Sequence, residues 1–303
     1  MRNRLTNRGM WRQLVPFAGM WLALTAFGPA VQSAATAGHF NPPKQYYLAL
    51  GDSLAFGAQL GKFFQEVSSG TYDPNSFNTG YVDDFAARMK SIEPRLETVN
   101  LSCPAETTSS FQSTCLFRAL GFALHTNYGG SQESAALSFL RAHPGQVSPI
   151  SIDLGFDDAL LPCAGPTFLV DVACIHRTMP AALQSVAANL PEILAALHKA
   201  SPSSEIVVMT YYNPFFVEDA STDALVSTLD NEIAGIAKAQ DMRIAETFVP
   251  FNRTGDEATT LCTLTLMCPG LDYHASDDGY RLIAGQFWAA SGYARLGREP
   301  SGR

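Results

Sequence analysis

Two short stretches of the chain hold residue types that could do chemistry together. The first is Leu50-Gly51-Asp52-Ser53-Leu54-Ala55-Phe56-Gly57, directly after the strand-like run Gln45–Leu50. A serine where a strand turns into a helix exposes its hydroxyl and its backbone N–H. It can therefore attack a carbonyl and help hold the oxyanion that forms. Taken alone, Gly-Asp-Ser-Leu reads first as an ordinary turn with a serine N-cap, so a second observation is needed. It comes at the far end of the sequence, where Leu271–Tyr280 places Asp272 and His274 just before a helix N-terminus. A histidine in a loop beside a carboxylate is held in one tautomer and stabilised once it takes up a proton. His39, His125, His143, His176 and His198 lack such a setting.

The elements that must position these residues follow from the hydrophobic pattern. Strand runs fall at Gln45–Leu50, Glu97–Leu101, Pro149–Leu154, Glu205–Tyr211 and Arg243–Phe248. Several are continuously apolar or β-branched, as in strands buried on both faces of a parallel sheet. Between them, Leu183, Val186, Leu190, Ile193 and Leu197 share one helix face, with Pro191 expected to kink or divide that helix. Leu225, Leu229, Ile233 and Ile236 form a second stripe. The last helix starts near Ser276, with Asp277 and Asp278 where the helix dipole favours acids, and buries Tyr280, Ile283 and Phe287. Alternating strands and helices predict an α/β protein: a three-layer α/β/α sandwich on a mainly parallel, flavodoxin-like five-stranded sheet. Ligands then bind in the loops that follow the strands.

Composition bounds the rest. The chain has 303 residues and a formal net charge of −8. Arg2, Arg4, Arg8 and Arg12, an apolar run from Leu14 to Val31 and small residues through Ala37 have the layout of a secretory signal peptide. Pro16 and Pro29 leave too short an apolar stretch for a stable membrane anchor. Without residues 1–37 the charge falls by four arginines to about −12, which argues against nucleic acid or an anionic membrane as partner. Residues 38–303 form one domain, expected to be a monomer, with no repeat or linker. The six cysteines of an exported protein predict three disulfides. They fall into three close pairs, Cys103–Cys115, Cys163–Cys174 and Cys262–Cys268, and local pairing is expected. No CxxC or histidine cluster suggests a metal.

With these residues in view, the sequence resembles the SGNH/GDSL hydrolase family. Gly51–Leu54 resembles block I, whose serine is the nucleophile. Asn100–Thr107 resembles block II, where a glycine N–H serves the oxyanion hole; Ala105 stands at that glycine. Ile152–Asp158 resembles block III, G-x-N-D, whose asparagine is a further oxyanion donor; here that position is Asp157. Asp272 and His274 resemble block V, although the family spacing is D-x-x-H and the spacing here is D-x-H. The blocks occur in family order over nearly the whole mature protein.

The resemblance implies two-step acyl transfer with no metal or organic cofactor. His274 takes the Ser53 proton, Asp272 orients His274, and Ser53, Ala105 and Asp157 surround the oxyanion. The implied substrate is a lipid, a short acyl ester or an acetylated sugar. An ionised Asp157 cannot donate a hydrogen bond, so a non-catalytic binding module is one alternative. An acyltransferase using the same serine is another. If Asp157 keeps a proton while His274 loses one, activity is expected in a narrow, mildly acidic window. The loops Phe63–Thr79 and Cys163–Thr178 are expected to shape the substrate pocket.

Overall fold

The computed structural model describes residues 40–296; the leader expected over residues 1–37 lies outside them. Five strands, β1 (Tyr46–Gly51), β2 (Glu97–Asn100), β3 (Val147–Asp153), β4 (Ile206–Met209) and β5 (Arg243–Ala245), form one sheet in the order β2-β1-β3-β4-β5. Every pairing in it is parallel, as the near-continuous apolar runs imply. The register sets Leu48 beside Val99 and Leu50 beside Ile152, and all seven residues of β3 are buried. This is the flavodoxin-like strand order, whose switch point lies between β1 and β3.

The helices are α1 (Ser53–Phe56), α2 (Leu60–Ser69), α3 (Tyr81–Met89), α4 (Gln132–Ala142), α5 (Val172–Ala200), α6 (Thr222–Ala239) and α7 (Asp277–Ser291), with shorter turns between. On one face of the sheet α3 packs on α7, Tyr81 stacking on Phe287 at 4.6 Å. The other face carries α4, α5 and α6. Burial follows the sequence stripes: Leu229 and Ile233 of α6, and Tyr280, Ile283 and Phe287 of α7, are fully buried. Ser276 caps α7, its hydroxyl accepting from the Gly279 N–H at 3.2 Å.

Two expectations need correction. Pro191 does not divide its helix: α5 runs unbroken for 29 residues through both Pro180 and Pro191. Val186, Leu190, Ile193, Leu194 and Leu197 are fully buried along it, and that packing outweighs the missing backbone donors. His274 is not in a loop but on a strand, β7 (Asp272–Ala275), which pairs antiparallel with β6 (Thr265–Leu266).

All three disulfides are local: Cys103–Cys115, Cys163–Cys174 and Cys262–Cys268. Among the described residues no helix is long and apolar enough to cross a membrane.

Candidate active site

The turn after β1 is built by specific fits. Gly51 has φ +131°, and a Cβ there would lie 1.9 Å from Oδ1 of Asp153, so only glycine can hold this position. Gln132 clamps the same residue, its side chain accepting from the Gly51 N–H at 2.7 Å and donating to the Gly51 carbonyl at 3.0 Å. Asp52 then caps α1 by accepting from the Leu54 N–H at 2.8 Å. Ser53 is therefore the first residue of a helix, where its N–H has no partner within the helix.

His274 reaches Ser53 from β7. Its Nε2 lies 2.8 Å from Ser53 Oγ, and its Nδ1 lies 2.6 Å from Asp272 Oδ1. The short D-x-H spacing works because residues i and i+2 of a strand face the same side, which sets carboxylate and imidazole side by side. Asp272 is itself held, its Oδ2 accepting from the Leu60 N–H at 2.7 Å and its Oδ1 from the His274 N–H at 3.1 Å. Burial alone would raise its pKa. The charge and hydrogen bond of His274, with the two backbone N–H groups, outweigh burial and hold the carboxyl below its ordinary value. With Asp272 ionised, Nδ1 carries the proton and Nε2 accepts from the serine hydroxyl.

Ala105 lines one cavity with Ser53 and His274 and has φ +63°, the left-handed region that favours glycine. Asp157 is buried in the wall of a second, smaller cavity that also opens on Ser53. The two expected oxyanion residues thus approach the nucleophile from different cavities, which share Ser53 and Tyr273 as common walls. Oδ2 of Asp157 has no hydrogen-bond partner. Burial first, then the charges of Asp52, Asp158 and Glu106, push its pKa well above the usual carboxylate range. Asp158 accepts from the N–H and hydroxyl of Thr108 at 2.8 and 2.7 Å, pinning this turn to the one that carries Ala105.

Several residues of the site were not singled out from sequence. Asp153, at the end of β3, accepts from Tyr81 and from the Ala55 N–H, each at 3.0 Å. Burial and then the charge of Asp52 raise its pKa well above normal. Tyr211 donates to Asp52 at 2.8 Å. Glu106, buried and bonded by Ser110 and Gln132, is pushed up to about 7 by burial. Tyr273 stacks on His274 with ring centroids 4.4 Å apart. The available signal was the run of acids at strand ends beside the serine turn. The other described histidines stand elsewhere: His125 bonds the Phe56 carbonyl, and His176 pairs with Asp219. Asn252, which begins an Asn-Arg-Thr sequence, is fully buried and donates to the Asn213 carbonyl at 2.9 Å, so it presents no acceptor for a glycan.

No family model and no curated protein sequence matches the chain. Solved structures do. A GDSL-like lipase from Parabacteroides merdae superposes with a TM-score of 0.56 at 14% identity, covering 84% of this chain and 99% of its own. An extracellular lipase from Streptomyces rimosus gives 0.51 at 17% identity, over 81% and 99%. A catalytic mutant of an acetylxylan esterase from Geobacillus stearothermophilus gives 0.52 at 14% identity, over 85% and 98%. Matching five-stranded parallel sheets over nearly the full length of these structures, at such low identity, establish architecture: the protein has the SGNH/GDSL hydrolase fold.

Proposed function

We propose that the protein is a secreted serine esterase that hydrolyses carboxylic esters through an acyl-enzyme on Ser53. The observation that carries this is the bridge made by His274, 2.8 Å from Ser53 Oγ on one side and 2.6 Å from Asp272 on the other. A nucleophile, a base and an orienting anion in hydrogen-bond reach are what acyl transfer needs. Three relations support the wider reading: the fold shared with lipases and an acetylxylan esterase, the three disulfides, and the extracellular origin of one of those lipases.

In this reading His274 Nε2 accepts the Ser53 proton as Oγ bonds the ester carbonyl carbon. The N–H groups of Ser53 and Ala105 hold the tetrahedral oxyanion, and a protonated Asp157 adds an O–H donor from the other side. The intermediate collapses as His274 returns the proton to the departing alkoxide, releasing the alcohol. Water then attacks the acyl-enzyme, giving its proton to His274, and Ser53 leaves with that proton as the carboxylic acid departs. A protonated Asp157 removes the ground for preferring a binding module. The direct test is labelling by a fluorophosphonate probe together with p-nitrophenyl acetate hydrolysis. Wild type is expected to label at Ser53, and Ser53→Ala to lose both label and turnover, by about 10⁴-fold or more, while remaining folded. Turnover that survives in folded Ser53→Ala rejects the mechanism.

A further inference from the structure

The cavity that Ser53, His274 and Ala105 open into is walled on its other sides by aromatic rings, among them Phe56, Phe63 and Phe117. Its free volume is about 40 Å³. A water-sized group needs roughly 10–15 Å³ of such space, so the cavity is narrow. The rings belong to a small apolar cluster separate from the main core, which also contains Cys103 and Cys115.

Phe117 and Phe63 are the two best-connected rings of that cluster. The Phe117 ring centroid lies 5.3 Å from Phe63 and 5.9 Å from Phe56, both of which line the cavity. It also lies 4.7 Å from Phe122 and 6.1 Å from Tyr72, neither of which does. Phe117, together with Phe63 at 5.1 Å from Phe122 and 5.8 Å from Tyr72, therefore stands between the cavity and a second aromatic layer. The cystine fixes where it stands. Ala105 follows Cys103 by two residues and Phe117 follows Cys115 by two, so one crosslink with Cα atoms 5.9 Å apart anchors both walls.

We propose that this cavity takes the acyl group of the substrate and that Phe117 is its floor, restricting the enzyme to short acyl esters, acetyl to about butyryl. The proposal rests on Ser53 being the acylated nucleophile. Removing the floor opens the way toward Phe122 and Tyr72, which are apolar and accept further methylenes. Each methylene newly buried is worth about fourfold in kcat/KM.

The experiment measures kcat/KM for p-nitrophenyl acetate, butyrate, hexanoate and octanoate with wild type, Phe117→Leu and Phe117→Ala. The readout is the octanoate-to-acetate ratio within each protein, which cancels any loss of folded enzyme. Phe117→Leu retains much of the packing, so a result is obtained even if Phe117→Ala fails to fold. Wild type should fall steeply beyond butyrate, and the ratio should rise about tenfold or more in Phe117→Leu and further in Phe117→Ala. A wild-type preference for octanoate, or a ratio unmoved in the folded variants, overturns the role of Phe117. If Ser53 fails to react with a fluorophosphonate in wild type, the esterase reading itself falls, and the two failures are thereby told apart.

Discussion

Replacing Asp157 by asparagine isolates one hydrogen-bond donor and one titration. In the wild type, burial and the charges of Asp52, Asp158 and Glu106 keep the Asp157 carboxyl protonated well above its ordinary range. While it is protonated it can donate to the oxyanion much as asparagine does, so at mildly acidic pH the two enzymes should differ by only a few fold. As pH rises through the shifted value the donor is lost. One oxyanion donor is worth about 2.7–4 kcal/mol, so Asp157→Asn should be faster by about 10²–10³ in kcat on the alkaline side. Stability should follow with the same sign. Below the ordinary carboxylate value, near 3.8, folded and unfolded states are both protonated. Above it only the folded state keeps the proton, so wild-type stability falls by at most about 1.4 kcal/mol per pH unit until the folded carboxyl also ionises. Asp157→Asn lacks that term, and its Tm advantage should grow from pH 5 to pH 9. The assays are a pH–rate profile and melting curves on both proteins. Superimposable pH–rate profiles would falsify the donor role and mean that residue 157 does not face the oxyanion.

Three further outcomes are expected. Asp272→Asn should lower kcat by about 10⁴-fold with little change in KM, because His274 loses its orienting anion. The stability that ionised Asp272 confers is present above about 3.8 and disappears as pH falls through its depressed folded value, so acid denaturation curves of wild type and variant should converge at low pH. Mass spectrometry of a non-reduced digest should show the pairs 103–115, 163–174 and 262–268. Reduction should lower both Tm and activity, since a loop the size of that closed by Cys103 and Cys115 is worth about 3 kcal/mol and anchors Ala105; free thiols at those two positions would remove this link. Ala105→Gly should raise stability by about 0.5–1 kcal/mol in a urea melt by relieving a left-handed alanine, with activity kept; a destabilised variant would mean that the φ of +63° at Ala105 carries no strain.

The sheet was legible in the sequence because parallel strands covered on both faces are near-continuously apolar, as β1, β3 and β4 are, while the edge strands β2 and β5 carry polar residues and are partly exposed. The ends of the strands were less legible: β4 stops at Met209 and β5 at Ala245, where Tyr211 and Thr247 turn to other bonding. Pro191 misled because a local signal was set against the burial of a whole helix face, and burial prevailed. β7 was missed because Asp-Tyr-His-Ala has no apolar alternation and pairs only with the two-residue β6. Ser53, Asp272 and His274 were singled out by type and position, and the structure brings them into contact; why D-x-H allows this, the period of two along a strand, appears only once β7 is seen. Phe117 was invisible: nothing along the sequence says that Phe56, Phe63 and Phe117 meet beside the serine.

The acids around Ser53 can be ordered by what faces each carboxyl. Asp52, Asp153, Asp157 and Asp272 are all buried, and so many adjacent charges cannot persist together in a medium that solvates them poorly. Which of them ionises first is decided by donors. Asp272 accepts from two backbone N–H groups and from His274, and its pKa is lowered despite burial. Asp52 accepts from one N–H and the Tyr211 hydroxyl and is raised, burial prevailing. Asp153 also has two donors, but it faces the charge of Asp52 and is driven further up. Asp157 has an oxygen with no partner and three acidic neighbours, and its pKa is raised well above the usual carboxylate range. The same residue type is thereby driven in opposite directions a few residues from Ser53, which under the proposed function suits Asp272 as an anion behind the histidine and Asp157 as a neutral donor. Environments that push carboxyl pKa values apart are how a site assigns such roles, and here the assignment follows from the hydrogen bonds each aspartate receives.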